Sequence, residues 1–344
     1  MITPNFQQDI SIIIPVHNGG DSFKRCLMAV EKLNPQPREV IVVANGDTDG
    51  SWNVAKQFGA TVVRLPEATG PGIARNMGAK IARGKYLFFI DADVEVQVTT
   101  IAGVIDIFNQ YSCLAALIGS YDDSPGATNF LSQYRNLLHH YTHQISCENA
   151  STFWAGCGAI KRDIFSAMGG FNEQYLKPCI EDIELGIRLK QSGYDIRLCK
   201  ELQVKHLKRW DALSILKTDI FYRALPWTSL ILEHRQFNND LNLKLENRLS
   251  VVLIYFLVFL TIVSICYSLQ VLWVILPITI GLIWLNASLY RFFYSKRGLI
   301  FSIKAILWHW LYYLYSGLGF CLGLLWYQRY HFKLFRTIVQ EKLS

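Results

Sequence analysis

Between Leu249 and Tyr290 the chain runs for 42 residues without an Asp, Glu, Lys or Arg. A helix that is apolar all round belongs in a protein core or in lipid, because water would meet it on every side. One bilayer crossing takes about 20 apolar residues. The run therefore predicts a hairpin of two transmembrane helices turning near Tyr267–Gln270, flanked by Arg248 and Arg291.

Charge patterning sharpens this. Residues 1–248 balance 26 basic against 26 acidic side chains, while residues 291–344 carry 8 against 1, so the net +7 lies in the last stretch. A basic tail (329–344) beside an apolar run suits an anionic leaflet, not nucleic acid. Ala305–Gln328 is a third charge-free segment of spanning length. Basic residues favour the cytoplasmic side, yet Arg291, Lys296, Arg297 and Lys304 precede this segment and Arg329, Lys333 and Arg336 follow it. One crossing cannot place both groups there. A third crossing is expected, with a re-entrant or interfacial course as the alternative; Gly317, Gly319 and Gly323 permit close packing or a break.

Residues 1–209 read as a separate domain. Short β-branched runs, Ile10–Pro15, Glu39–Ala44, Thr61–Leu65 and Tyr86–Ile90, alternate with helical stretches at Asp21–Leu33, Gly50–Phe58 and Gly72–Ala82. That alternation predicts an α/β fold with a mostly parallel, Rossmann-like sheet and flanking helices. Ligands of such sheets bind beyond the carboxyl ends of the strands. Residues 210–248 mix Trp210, Leu213, Leu216, Phe221 and Trp227 with Lys217, Arg223 and Arg235, a pattern of helices lying on a membrane surface or packed on the catalytic domain. The eight cysteines form no CxxC pair, so a zinc site by cysteine is not expected. No apolar stretch of signal-peptide length lies in the first 25 residues, so residues 1–248 are expected to stay unexported.

Chemistry is sought directly after the strands. Asp91-Ala92-Asp93 follows Tyr86–Ile90 without a gap. Residues two apart on a strand share a face, so the two carboxylates should converge on a hard divalent cation, Mg²⁺ or Mn²⁺. A solvated turn is the plainer reading. Glu181-Asp182 opens a helix, where acidic residues are favoured by the macrodipole in any case. His139, His140 and His143 lie on a helix expected over Thr128–Gln144; they suit an acceptor groove or packing, with metal binding a minor alternative. Trp154 could stack on a sugar or pack in the core, and Gly156 would let an acceptor approach the backbone.

The pieces together resemble family 2 glycosyltransferases of the membrane-anchored bacterial type. Ile12–Asn18 (IIIPVHN), Val42–Ser51 (VVANGDTDGS), Gly72–Gly78 (GIARNMG) and Tyr86–Asp93 (YLFFIDAD) come in the family's order. So do Gly169-Gly170-Phe171, Glu181-Asp182 and His206-Leu207-Lys208-Arg209-Trp210. The resemblance covers about residues 10–210 and implies a GT-A fold and inverting transfer from a nucleotide-sugar with a divalent metal. It implies Pro15, Val16, His17 and Asn18 at the nucleotide, Asn45 and Asp47 near the base, and Arg75 and Asp91 on the donor. Asp93 and Asp91 would hold the metal, with His206 as an alternative ligand. Asp182 would be the catalytic base, with Glu181 as runner-up. Arg209 and Trp210 would meet the diphosphate and acceptor, or anchor the chain at the interface. Where the family often has two aspartates this chain has Ala44-Asn45, and the QxxRW motif of processive synthases begins here with His206. The expectation is a UDP-linked donor and a lipid or lipid-linked saccharide acceptor. The enzyme would be a multi-pass protein of the inner membrane with a cytoplasmic catalytic domain. The rivals are a processive polysaccharide synthase and a non-catalytic sugar-nucleotide-binding scaffold.

Overall fold

A computed structural model describes residues 9–234, 244–267, 270 and 272–343; the side chains from residue 330 onward lie outside the description. The chain divides into two units, Met1–Trp210 and Asp211–Ser344.

The first unit is built on an eight-stranded sheet in the order β3-β2-β1-β4-β7-β6-β8-β5. The strands are β1 (Ile10–Val16), β2 (Glu39–Asn45), β3 (Thr61–Leu65), β4 (Tyr86–Ile90), β5 (Val94–Glu95), β6 (Ala116–Tyr121), β7 (Cys157–Lys161) and β8 (Ile196–His206). Its helices are α1 (Gly20–Glu31), α2 (Ser51–Phe58), α3 (Pro71–Ile81), α4 (Thr100–Gln110), α5 (Phe130–Ile145), α6 (Arg162–Ala167) and α7 (Glu181–Gln191). Every strand and helix predicted up to residue 145 is present within two residues of its expected ends. The sheet is mixed, with four parallel pairs among the seven described. β3, β2, β1 and β4 are parallel, but β7 enters antiparallel to both β4 and β6. The cause lies in connection length: the sequence pattern showed four strands joined by helices and gave no sign of a strand returning the other way at Cys157.

Side chains alternate across the sheet. Ile12, Ile14, Phe88 and Ile90 join α1 and α4 in one core, while Ile13, Leu87 and Phe89 join α3 and α7 in the other. Both faces of β4 are thus covered, which is why all five of its residues are buried. Gly78 lets α3 lie close on this sheet; a Cβ there would come within 2.6 Å of Ile13. Because β1, β2 and β4 run parallel, their carboxyl ends open on one edge, and Asn18, Asn45 and Asp91 follow them there.

In the second unit, α8 (Ala212–Lys217), a π-helical turn (Thr218–Ala224) and α9 (Leu225–His234) precede α10 (Leu245–Cys266), α11 (Leu272–Leu285) and α12 (Ala287–Leu343). Among the described residues α10 alone is a single helix long and apolar enough to cross a membrane, with mean hydropathy 2.8. The predicted second crossing is short. The 14 residues of α11 reach about 21 Å at 1.5 Å per residue, against a hydrocarbon core of about 30 Å. α11 meets the spanning criterion only together with α12, across a 66° bend. The predicted third segment, 305–328, lies in the part of α12 that follows Gly298, where the backbone leaves the helical region. Of the expected turn, residues 268–269 lie outside the described residues, as do residues 235–243 of the expected interfacial stretch and the side chains of the basic tail.

Candidate active site

Arg75, on α3, is the centre of the site. It is buried, and its guanidinium donates to Asp91 at 2.7 Å and to Glu181 at 2.8 Å. Burial works against its charge, and Asp91, Glu181 and Asp182 more than compensate, raising its pKa further. One arginine thus ties the end of β4 to the start of α7, although 106 residues separate it from Glu181.

Asp91 and Asp93 take different partners. β4 ends at Ile90, and Asp91 to Asp93 form a turn, so the two-residue period of a strand no longer applies. Asp91 turns to Arg75, while Asp93 stands 3.6 Å from His206 Nε2. Burial would raise the Asp93 carboxyl, but the hydrogen bond and charge of His206, with Lys208, outweigh it and hold the pKa below the usual value. Among the described residues no three His, Cys, Asp or Glu side chains group closely enough to hold a metal by themselves. The three-ligand reading of Asp91, Asp93 and His206 is therefore corrected to a pair. A cation bound largely through substrate phosphates keeps only one or two protein oxygens, and an ionised Asp93 beside His206 fits that requirement.

The acidic pair on α7 is split in role by its partners. Glu181 is buried and accepts from Arg75 and from the Cys179 N–H at 3.0 Å. Asp182 is half-buried and accepts from the Ala155 N–H at 3.2 Å and the Ile183 N–H at 2.8 Å. Burial, then the charge of Glu181, pushes the Asp182 carboxyl up to about 7, against the pull of Arg75 and those two N–H groups.

At the β1 and β2 ends, His17 Nδ1–H donates to the Asn45 carbonyl at 2.8 Å. Asn18, at φ 51°, accepts from the Thr48 N–H at 2.8 Å. Pro15 and Val16 close β1. Asn45 is buried, and its amide is spent on the Thr69–Gly70 turn, accepting from Thr69 and donating to the Gly70 carbonyl. Asp47 accepts from the Trp52 N–H and holds the start of α2. Asp49, which the sequence reading passed over, joins the two loops by accepting from Gly20 and Ser51.

An aromatic cluster joins Asp93–His206 to Trp154. Tyr121, at the end of β6, stacks on His206 with ring centres 4.2 Å apart and meets Trp154 edge-on at 4.8 Å. His139 lies 4.9 Å from Trp154. Tyr121 was not anticipated; its signal was an aromatic residue ending a strand beside the site. His140 and His143 turn their Nδ1 atoms to the carbonyls of Tyr121 and Gly119, which makes them packing residues. Gly156 does not open the backbone to an acceptor: its Cβ position lies 2.8 Å from the Trp154 ring, so the glycine makes room for that indole. Trp210 is buried under Lys208, with its backbone held by Ser132 and Asn129, and Arg209 is exposed.

Residues 11–169 match the family model described as glycosyl transferase family 2, and residues 138–210 match one described as the N-terminal domain of galactosyltransferase. The chain is 37% identical over 99 residues to the uncharacterized glycosyltransferase YibD of Escherichia coli, covering 28% of this chain and 29% of that protein. It is 24% identical over 233 residues to the O-antigen chain rhamnosyltransferase WbaN of Salmonella anatum, covering 63% and 73%. In fold it is similar to the mannosyltransferase PcManGT of Pyrobaculum calidifontis, solved with GDP-Man and Mn²⁺, at a TM-score of 0.58 and 16% identity over 87% and 86% of the chains.

Proposed function

We propose, from the match of residues 11–169 to the glycosyl transferase family 2 model, that this chain transfers a sugar from a nucleotide-sugar, UDP-linked, to a lipid or lipid-linked saccharide at the cytoplasmic face of a membrane. The reaction is a single inverting displacement. The acceptor hydroxyl attacks the anomeric carbon from the face opposite the leaving nucleoside diphosphate, and Asp182 takes the hydroxyl proton as the new bond forms.

The observation that carries this reading is the division of labour on α7. Glu181 is bound to Arg75, while Asp182 has its pKa raised to about 7. A general base works best when its pKa lies near the operating pH. The Ala155 N–H donates to it, so an acceptor sugar held beside this loop would present its hydroxyl to Asp182. On the donor side, the loops after β1 and β2, from Pro15 to Asn18 and from Asn45 to Asp47, form the nucleotide cradle, with Asn45 shaping it through the Thr69–Gly70 turn. Asp93 and His206 would hold a divalent cation, which when bound offsets the diphosphate charge. The apolar α10 and the O-antigen name of the Salmonella relative support a membrane-linked saccharide acceptor.

The test is a panel of UDP-, GDP- and dTDP-sugars with purified full chain, read as a thermal shift with and without Mn²⁺. A metal-dependent shift with one donor, and transfer lost in Asp182→Asn while that shift persists, is expected. A donor shift indifferent to metal, or an Asp182→Asn variant that transfers normally, refutes the mechanism.

A further inference from the structure

α12 is one helix only in name. At Gly298 the backbone leaves the helical region, with φ 79° and ψ −176°. Tyr290 and His309 are 19 residues apart, which along a straight helix would be about 28 Å, yet the Tyr290 hydroxyl lies 3.3 Å from His309 Nδ1. The Phe293 and Phe301 rings meet at 5.9 Å, and the Tyr313 hydroxyl donates to Asn286 Oδ1 at 2.8 Å. The chain therefore doubles back at Gly298. Ala287–Arg297 and the segment from Leu299 onward form a helical hairpin whose open end is pinned at Asn286.

That pin also fixes where the hairpin stands beside α10. Asn286 donates to Ser250, the Tyr313 hydroxyl also lies 3.0 Å from Asn247 Oδ1, and Tyr255 donates to the Leu314 carbonyl at 2.8 Å. A Cβ on Gly317 would meet Val251 and Tyr255. These contacts all fall on the first half of α10. The same part of α12 packs on the helices that precede α10: Tyr315 donates to Asp219, Gly319 faces Ala224 and Gly323 faces Thr228. α10 thus leaves this layer at its first turns, and α11 returns to it at Asn286.

On the expected hairpin, α10 and α11 would make two crossings by that point. α11, about 21 Å long, must stand near the membrane normal to bridge as much of the hydrocarbon as it can. Between Leu314 and Gly323 the arm after Gly298 passes from the first half of α10 onto the helices that precede α10. We propose that α12 runs along the membrane surface, on the side from which α10 enters, instead of crossing a third time. Its partner is the anionic leaflet. Ile300, Ile303, Leu307, Leu311, Leu318 and Leu325 are exposed at three-, four- and seven-residue spacing along one face, a stripe that acyl chains would cover. Residues 291–329 hold Arg291, Lys296, Arg297, Lys304 and Arg329 and no acidic residue, which suits phosphate headgroups. This course puts the basic residues on both sides of 305–328 on one face of the membrane, which a third crossing cannot do.

The test is sidedness of cysteine labelling in cells making the full chain, with Cys113, Cys147, Cys179, Cys266 and Cys321 replaced by serine. Lys56→Cys, Tyr267→Cys, Arg297→Cys and Arg329→Cys are introduced singly. Each is treated with a membrane-impermeant maleimide before and after permeabilisation. Arg297→Cys and Arg329→Cys are expected to label on the side of Lys56→Cys, and Tyr267→Cys on the opposite side. If Arg329→Cys labels with Tyr267→Cys, α12 crosses and the proposal falls while the α10–α11 hairpin stands. If Tyr267→Cys labels with Lys56→Cys, α10 does not cross, and both fall.

Discussion

Replacing Asp182 by Asn should stabilise the catalytic unit more as pH rises, in the same variant that loses transfer. The Asp182 carboxyl is raised from its ordinary value of 3.8 to about 7, by burial first and Glu181 second. A group whose folded pKa is raised contributes stability that is full at low pH and lost as pH climbs through the folded value. Between pH 6 and 8 the folded protein must release most of one proton that the unfolded chain gave up long before. For a folded pKa of about 7, linkage sets that loss at about 1.4 kcal/mol. Partial solvent screening at this half-buried site brings the expected figure to about 1 kcal/mol. For a unit of this size, 1 kcal/mol moves Tm by about 2–4 °C. Thermal unfolding of wild type and Asp182→Asn in detergent at pH 6, 7 and 8 should thus show the wild type losing about 2–4 °C more than the variant. Transfer by the variant should fall by at least about a hundredfold, the low end for a general base. Parallel pH profiles for the two proteins would refute the electrostatic argument, and normal transfer would refute the catalytic one.

Four further outcomes are expected. Transfer per unit of free enzyme and acceptor should rise with pH through about 7 as Asp182 ionises, and a flat kcat/KM profile from pH 5.5 to 8 would count against it. Asp93→Asn should lose metal-dependent donor binding by isothermal titration while its unfolding transition persists; full activity in excess chelator would contradict this. Arg75→Ala leaves Asp91 and Glu181 unpaired and should cost about 3–5 kcal/mol by denaturant unfolding, since breaking a buried pair strands a charge. Gly186→Ala would drive a methyl into the Thr152–Phe153 backbone and should lower stability by about 1–3 kcal/mol, which an unchanged Tm would disprove.

Periodicity carried the reading as far as the sheet continued and failed where it stopped. Ile10–Val16 and Tyr86–Ile90 are buried on both faces, so their apolar runs were unambiguous. Beyond Ile90 the same two-residue rule was extended to Asp91 and Asp93, which lie in a turn and take different partners. The resemblance named Arg75, Glu181 and Asp182 together, but only the fold shows that the guanidinium holds Asp91 and Glu181 and leaves Asp182 to backbone N–H groups. Asn45 was expected at the base, yet its amide is consumed by a turn 24 residues on, a long-range contact that no local pattern encodes. Gly156 was read as open space, and the space belongs to Trp154. Apolar length likewise counted segments without seeing Gly298, a single residue at which the backbone reverses its course.

The Asp91–Arg75–Glu181 bridge makes the donor side and the proton acceptor thermodynamically reciprocal. Glu181 raises the proton affinity of Asp182, and Arg75 lowers it. Arg75 shares its fork between Glu181 and Asp91. A ligand that draws Asp91 away releases the guanidinium to Glu181, and the negative field at Asp182 weakens. Occupancy of the donor cradle would then lower the pH at which the base is armed. By linkage, deprotonating Asp182 must tighten donor binding by the same factor. Donor affinity and proton release become one measurement: titrating donor into weakly buffered protein near pH 7 should expel protons in proportion to sites filled.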